Sequence, residues 1–219
     1  MNRLLRFWRS TIGKKVAMAI TGAILIGFLI SHMLANLLIL TGDPAGINGY
    51  AAFLRTQPPL LWGGRAVLLG AVILHVIAAL QLTRLDRAAR PVAYARVTPQ
   101  TATFASRTIR WGGLLILLFV VYHILHFTTG KVHPSFVHGD PYRNVIVGFD
   151  VKWVAAFYVV AMVAVGLHLY HGTWSAFRTL GLVQPSANPL QRRVATVLAI
   201  AIWLGFTLIP VAVVTGMVR

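Results

Sequence analysis

The amino-acid sequence predicts an all-α membrane protein, built as a bundle of five transmembrane helices. Hydrophobic residues make up 58% of the 219 residues and charged residues only 11%, with a mean hydropathy of +0.75. A soluble domain carries roughly 25% charged residues. The apolar residues form long continuous runs, and the chain has too little polar surface to cover them in water. A β-barrel is disfavoured because its strands would alternate apolar and polar residues.

Each of five apolar runs is long enough for a helix to cross a bilayer, which takes about 20 residues. The first, Val16–Leu40, is too long and too far from a small-residue cleavage site to be a removable signal peptide. The other four are Trp62–Leu82, Trp111–Thr129, Trp153–Trp174 and Val194–Val214. Because the loops between them are modest, we expect residues 1–219 to form a single bundle without a separate soluble domain.

Basic residues concentrate on one side of the predicted membrane, and this sets the orientation. The N-terminal segment and the loops after the second and fourth spans hold 14 of the 20 Lys and Arg residues. They are Arg3, Arg6, Arg9, Lys14, Lys15, Arg84, Arg87, Arg90, Arg96, Arg107, Arg110, Arg178, Arg192 and Arg193. We therefore expect a multi-pass protein of the plasma (inner) membrane, with the N-terminus cytoplasmic and the C-terminus outside.

The net charge of +16 agrees with this topology and with binding to anionic membrane lipid. It does not indicate nucleic-acid binding, because no basic helix or aromatic platform accompanies it. The surplus of cations on one face would also suit docking of an acidic soluble partner.

The residue types that the chain lacks exclude several kinds of site. The absence of cysteine excludes a Cys-ligated iron–sulfur cluster, a covalently attached c-type haem and a disulfide. There is no glutamate, and the four aspartates lie in loops or at predicted helix ends: Asp43, Asp86, Asp140 and Asp150. A di-iron carboxylate site, paired-carboxylate hydrolysis and proton-coupled transport on buried acids are therefore disfavoured.

Histidines remain at membrane depth, and they fall at two levels. They are His32, His75, His123 with His126, and His168 with His171, on the first four spans in that order. At 1.5 Å per residue, His32 and His123 lie about 24 and 18 Å from the cytoplasmic ends of their spans. His75 and His168 lie about 20 and 22 Å from the outer ends. In a hydrocarbon core about 30 Å thick, the first two form an outer pair and the last two an inner pair.

Two such pairs on facing helices suit two haems, each with imidazole at both axial positions. Iron held in this way has no open position for oxygen or substrate, so the expected activity is electron transfer. Zinc is less suitable, because a structural zinc usually has four ligands at one depth, with Cys or carboxylate among them.

His126 and His171 lie on roughly the same helix faces as the two histidines three residues before them, so each could be the ligand instead. Otherwise they contact haem propionates or quinone, or lie at the membrane interface.

The chain resembles the cytochrome b subunit of succinate dehydrogenase or fumarate reductase, in its single-chain, five-helix, two-haem form. The stretches that carry the likeness are RSTIGKKVAMAITG, ISHMLANLLILTG, GINGYAAFLR, HILHFTTG and HLYHGTWSAFRTLG. With the helix count and order, the likeness covers essentially the whole chain. It implies one haem b held by His75 and His168 and another held by His32 and His123. Gly172, four residues after His168, fits the family pattern of ligand and glycine and favours His168 over His171.

The resemblance also implies partners and a function. A flavoprotein subunit and an iron–sulfur subunit would oxidise succinate, and electrons would pass through this subunit to quinone, with menaquinone the expected type. One position departs from the family. Some members carry a glutamate, linked to transmembrane proton movement, two residues before the fourth-helix ligand, and here Gly166 stands there.

Candidate donors to the inner haem's propionates cluster at the cytoplasmic ends of three spans. They are Arg9, Ser10, Arg110, Trp111 and Arg178, a set that also fits ordinary positive-inside residues with an interfacial tryptophan. Candidates for quinone contacts are Trp8, Ser10 and Lys14 on the cytoplasmic side, and Asn36, Asp43, Asn48 and Tyr50 near the outer haem.

Two other classes of protein are alternatives. The membrane cytochrome b anchor of a formate dehydrogenase or a hydrogenase would also hold bis-histidine haems, although the quoted stretches are not typical of it. A histidine-lined transporter or channel would have Gly/Pro breaks at mid-membrane, and Pro210 is the only proline within the five predicted spans.

Overall fold

The computed structural model describes residues 2–89, 92, 103–182 and 189–219. The basic loop residues Arg90 and Arg96 lie outside the described residues. In the described part of the chain all regular secondary structure is helical. The helices are α1 (Arg3–Arg9), α2 (Thr11–Leu37), α3 (Pro44–Thr56), α4 (Pro58–Ala88), α5 (Phe104–His123), α6 (Pro141–Asp150), α7 (Lys152–Thr179) and α8 (Pro189–Val214). A 3-10 turn, Leu38–Thr41, extends α2, and a π-helical turn, Ile124–Thr128, extends α5.

Five helices, α2, α4, α5, α7 and α8, are long and apolar enough to cross a membrane. This confirms the prediction of an all-helical protein with five spans. The helices run beyond the predicted apolar runs: α4 continues to Ala88 and α5 begins at Phe104. Hydropathy marks only the stretch that needs an apolar solvent, whereas helical hydrogen bonding continues until the backbone is capped or turned.

Polar side chains cap the starts of several helices. The Ser10 and Thr103 hydroxyls accept hydrogen bonds from backbone N–H groups in the first turns of α2 and α5. The Asp43 and Asp140 carboxylates do the same for α3 and α6. Each cap satisfies an N–H group that the helix itself leaves unpaired, which stabilises it by about 1 kcal/mol.

Three helices were not predicted, α1, α3 and α6, and the last two pack together at the end of the bundle away from the N-terminus. Asn48 on α3 joins them. Its Nδ2 donates to the Asp140 carboxylate at 2.9 Å, and its Oδ1 accepts from the Tyr142 backbone N–H at 2.9 Å. We call this end of the bundle the capped end. The other end, where α1 lies and α2, α5 and α8 begin, is the basic end.

The chain packs its own core unevenly. Most of the buried apolar side chains lie on α6, α7 and α8, and α7 packs against α8, α5 and α2. The α4 helix packs mainly against α2. Among the described residues, α4 does not pack extensively against α7, and α2 does not pack extensively against α5. Of the four helices that carry paired histidines, α4 and α7 therefore pack mainly against other helices, as do α2 and α5.

We expect Asn48→Ala to lower the free energy of unfolding by about 1–3 kcal/mol, because it removes both partners that Asn48 supplies at the capped end. Thermal unfolding in detergent measures the effect. The matched control is Thr56→Ala on the same helix, where an exposed hydroxyl donates only to the Phe53 carbonyl one turn earlier. Equal stability of the two variants would contradict this role for Asn48.

Candidate functional site

The rings of four histidines meet in two pairs inside the bundle. His75 on α4 and His168 on α7 have ring centroids 6.2 Å apart, with their planes inclined by 53°. His32 on α2 and His123 on α5 have ring centroids 5.8 Å apart, with their planes at 86°. We call these the basic-end pair and the capped-end pair. Each pair bridges two helices whose described residues do not otherwise pack extensively against each other.

The two pairs lie at different levels along the bundle. His75 contacts Thr21 on α2, eleven residues before the capped-end histidine of that helix. His168 lies beside Gly113 on α5, ten residues before the capped-end histidine of that helix. At 1.5 Å per residue, both helices separate the levels by about 15–16 Å.

Glycines on neighbouring helices make room for the basic-end pair. A Cβ built on Gly22 would lie 3.7 Å from Cε1 of His75, and one on Gly113 would lie 3.7 Å from Cε1 of His168. Each imidazole therefore lies against the backbone of a helix. A methyl group fits at that distance, whereas a larger side chain would compete with the ring for space.

Three buried polar atoms on α4 and α7, the helices that carry the basic-end pair, have no partner among the described residues. They are Nδ1 of His168, Oε1 of Gln81 and Oγ1 of Thr173. A buried polar atom without a partner costs about 1–3 kcal/mol, so native proteins contain few. The side chains of the described residues therefore leave these three polar atoms without a hydrogen bond.

At the capped-end pair, side chains from two helices contact the histidines. The Asn36 amide donates to the His32 carbonyl at 2.7 Å, and its Nδ2 lies 3.3 Å from Nδ1 of His32. The Tyr158 hydroxyl, from α7, lies 3.5 Å from Nδ1 of His123 and 3.0 Å from Nδ1 of His126. Tyr158 therefore stands between the paired histidine of α5 and its neighbour in the next turn.

His126 is fully buried within the protein. The π-helical turn Ile124–Thr128 places it against α7, where it bonds to Tyr158. The segment that follows covers it, since the His133 ring stacks on it with centroids 5.0 Å apart. Its Nε2 has no partner among the described residues.

The residues that contact these histidines were not predicted from the sequence. His133, in the segment between α5 and α6, is buried, with Nε2 donating to the Asn144 carbonyl and Nδ1 accepting from the Ser135 N–H. Thr21 and Tyr158 were also missed. Each of these two residues places a hydroxyl in an otherwise apolar run of the sequence. Which histidine that hydroxyl contacts can be told only when the neighbouring helix is known.

His171 is half-buried, and the His75 ring faces His168 rather than His171. The predicted propionate donors near it make separate contacts. Arg110 forms an ion pair with Asp86 at 3.2 Å, with both side chains exposed. Arg178 lies over the Trp174 ring, 5.8 Å from its centroid.

The other basic-end candidates serve the turn between α1 and α2 or lie exposed. Ser10 caps α2 and donates to the Phe7 carbonyl. The buried Lys14 donates through Nζ to the carbonyls of Trp8 and Arg9, at 2.9 Å each. Trp111 is exposed. At the capped end, Asp43 and Asn48 are used in the contacts described above, and Tyr50 is exposed.

A scan against models of protein families, a search among curated proteins and a search among solved structures each found no match to this chain.

The geometry of both pairs fits one metal ion held between two imidazoles. Two metal–nitrogen bonds of about 2 Å, each with about 1 Å from nitrogen to centroid, place the two centroids about 6 Å apart. The observed separations are 5.8 and 6.2 Å. No group of three or more His, Cys, Asp or Glu side chains in the described chain could hold a metal ion. Each pair would offer a metal two imidazoles, which is the number that a haem iron takes from the protein, since the porphyrin supplies the other four ligands.

We expect Tyr158→Phe to lower the free energy of unfolding by about 1–3 kcal/mol, because it leaves Nδ1 of the fully buried His126 without a partner. Unfolding in detergent by heat or denaturant measures the change. Tyr50→Phe, at an exposed position on α3, is the control and should unfold like the parent protein. If both variants unfolded like the parent, the Tyr158–His126 bond would contribute nothing.

Proposed function

We propose that this chain is the membrane-anchor cytochrome b subunit of a succinate:quinone oxidoreductase, holding two haems b. The observation that carries the proposal is the presence of two separate histidine pairs, each with ring centroids about 6 Å apart, on four membrane-spanning helices. The choice of this family among cytochromes b rests on the resemblance of the stretches quoted above.

In this proposal His75 and His168 ligate one iron, and His32 and His123 ligate the other. When bound, a haem b takes up and gives off one electron at a time. Because each pair would supply two imidazoles, no position on the iron would be left for oxygen or substrate. Aromatic rings shield the capped-end ligands from water. The ring centroids of Phe28 and Phe206 lie 5.1 and 5.8 Å from that of His32, and the ring centroid of Phe119 lies 5.9 Å from that of His123.

The spacing of the two pairs suits electron transfer across the membrane. Their levels differ by about 15–16 Å along the helices, about half of a hydrocarbon core about 30 Å thick. Electrons would enter at the basic end and move towards the capped end, with quinone as the acceptor.

We propose that the basic end faces the cytoplasm of a cell whose plasma (inner) membrane holds the protein, and that the iron–sulfur subunit docks there together with the flavoprotein subunit. The positive-inside rule supports this orientation. Exposed arginines at the ends of three long helices support the docking face: Arg84, Arg87, Arg107, Arg192 and Arg193. Such a face attracts an acidic partner surface.

Haem quantitation of the purified chain tests the proposal. We expect two haems b per chain, about one in His168→Ala and two in His171→Ala. His168 faces His75 at 6.2 Å, whereas His171 lies about 4.5 Å further along the helix axis. Pyridine haemochrome spectra measure the content. A chain without b-type absorbance would refute the cytochrome function, and loss of one haem in His171→Ala alone would reverse the ligand assignment.

Partner binding is tested by affinity purification of the tagged chain from its native membrane. We expect a flavoprotein and an iron–sulfur subunit to co-purify, and the double variant Arg192→Glu/Arg193→Glu to reduce their recovery, because reversed charges repel an acidic surface. Lys131→Glu, an exposed change at the capped end, is the matched control. Full recovery with the double variant would contradict docking at the basic end. Subunits of a different dehydrogenase would instead identify the chain as the anchor of that enzyme.

A further inference from the structure

We infer that Thr21 is a positioning residue that fixes the tautomer of His75 and so presents the Nε2 lone pair of that ring to a metal ion. Thr21 lies on α2 and is buried, with 5% of its surface exposed. Its Oγ1 lies 3.1 Å from Nδ1 of His75 on the facing helix α4. The inference rests on the proposed function in one respect, namely that the metal is the iron of the basic-end haem.

The hydroxyl of Thr21 has a single proton, and the backbone of its own helix takes it. Oγ1 lies 2.7 Å from the Ala17 carbonyl and 3.2 Å from the Met18 carbonyl. A carbonyl oxygen can only accept, so either contact uses the hydroxyl proton. This bond to the preceding turn is a common one for threonine inside a helix. The hydroxyl oxygen can therefore serve His75 only as an acceptor.

The consequence for His75 follows from the chemistry of neutral imidazole, which has one N–H and one lone pair. Because Thr21 accepts, Nδ1 of His75 must carry the proton. The lone pair then lies on Nε2, the nitrogen free to bind a metal, and the partner of the other ring nitrogen sets which tautomer is present. Thr21 thus gives His75 the protonation pattern of a metal ligand before any metal binds.

The residue after Thr21 adds to the same arrangement. Gly22 leaves room for Cε1 of His75, which would lie 3.7 Å from a Cβ at that position. Thr21 and Gly22 therefore form a seat on α2 that holds the ring by the hydrogen bond to the Thr21 hydroxyl and by close packing, and the Met18 backbone of the same turn also bonds to the ring.

The partner ring in the basic-end pair has the matching glycine, Gly113, but no hydroxyl that bonds to it among the described residues. Nδ1 of His168 is buried and has no partner among the described residues. Thr21 therefore orients His75, whereas no hydrogen bond among the described residues orients Nδ1 of His168. A change at Thr21 should act on the basic-end site and leave the capped-end site unaffected, since the capped-end histidine of α2 lies about 16 Å further along the helix.

The test compares Thr21→Val, which keeps the shape but removes the hydroxyl, with Thr21→Ser, which keeps the hydroxyl. Loss of the partner of a metal-ligating histidine typically weakens metal binding 10–100-fold. We expect Thr21→Val to lower the affinity for the basic-end haem by about that factor, or to retain the haem at a higher midpoint potential. The potential rises because a ligand without its hydrogen bond is less basic and stabilises ferric iron less. Thr21→Ser should resemble the parent protein.

Haem content and redox titration of the purified protein are the two readouts, and the capped-end haem reports whether the bundle is intact. Ser31→Ala is the matched control, because this exposed hydroxyl on the same helix donates only to the Phe28 carbonyl. If Thr21→Val disturbed both haems, Thr21→Ala would repeat the test without the methyl group that valine puts in place of the hydroxyl. Parent-like content and potential of the basic-end haem in a folded variant without the hydroxyl would overturn the role of Thr21. A parent protein without haem would instead refute the proposed function itself.

Discussion

The constraint on which the rest of this structure depends is the placement of imidazoles between helices that pack little against each other. Polar groups at membrane depth cost free energy unless they are bonded. Here four histidines lie in two pairs on helices apolar enough to cross a membrane, and each pair bridges two helices that do not otherwise pack extensively against each other. A metal ion between the two rings of each pair would satisfy both nitrogens and tie the helices together. Ligand binding and assembly of the bundle are therefore coupled in this account.

The uneven packing of the chain agrees with that coupling. Helices α6, α7 and α8 form a core that the polypeptide fills by itself, and this core holds His168 and Tyr158 in place. Helices α2, α4 and α5 bury far fewer of their own residues. They bring the other three paired histidines to the first group, so the site lies where the two parts of the bundle meet.

Much of this arrangement could be predicted from the sequence, because long apolar runs and the 1.5 Å rise of a helix are local properties. They predicted five spans and which histidines share a depth. The helices α3 and α6 were missed, since they contain too few apolar residues to stand out beside the spans. The burial of His126 could not be predicted either, because it depends on a π-helical turn and on His133 folding over it. Thr21 acquires its role only from the orientation of His75 on another helix.

The central claim is that each histidine pair holds one iron, and the most direct measurement is the anomalous X-ray scattering of iron from crystals of the purified protein. We expect two peaks at the iron absorption edge, one between His75 and His168 and the other between His32 and His123. A single peak, or a peak beside His126 or His171 instead, would contradict the assignment. The absence of any iron peak from crystals of the protein as isolated from its native membrane would contradict the account as a whole.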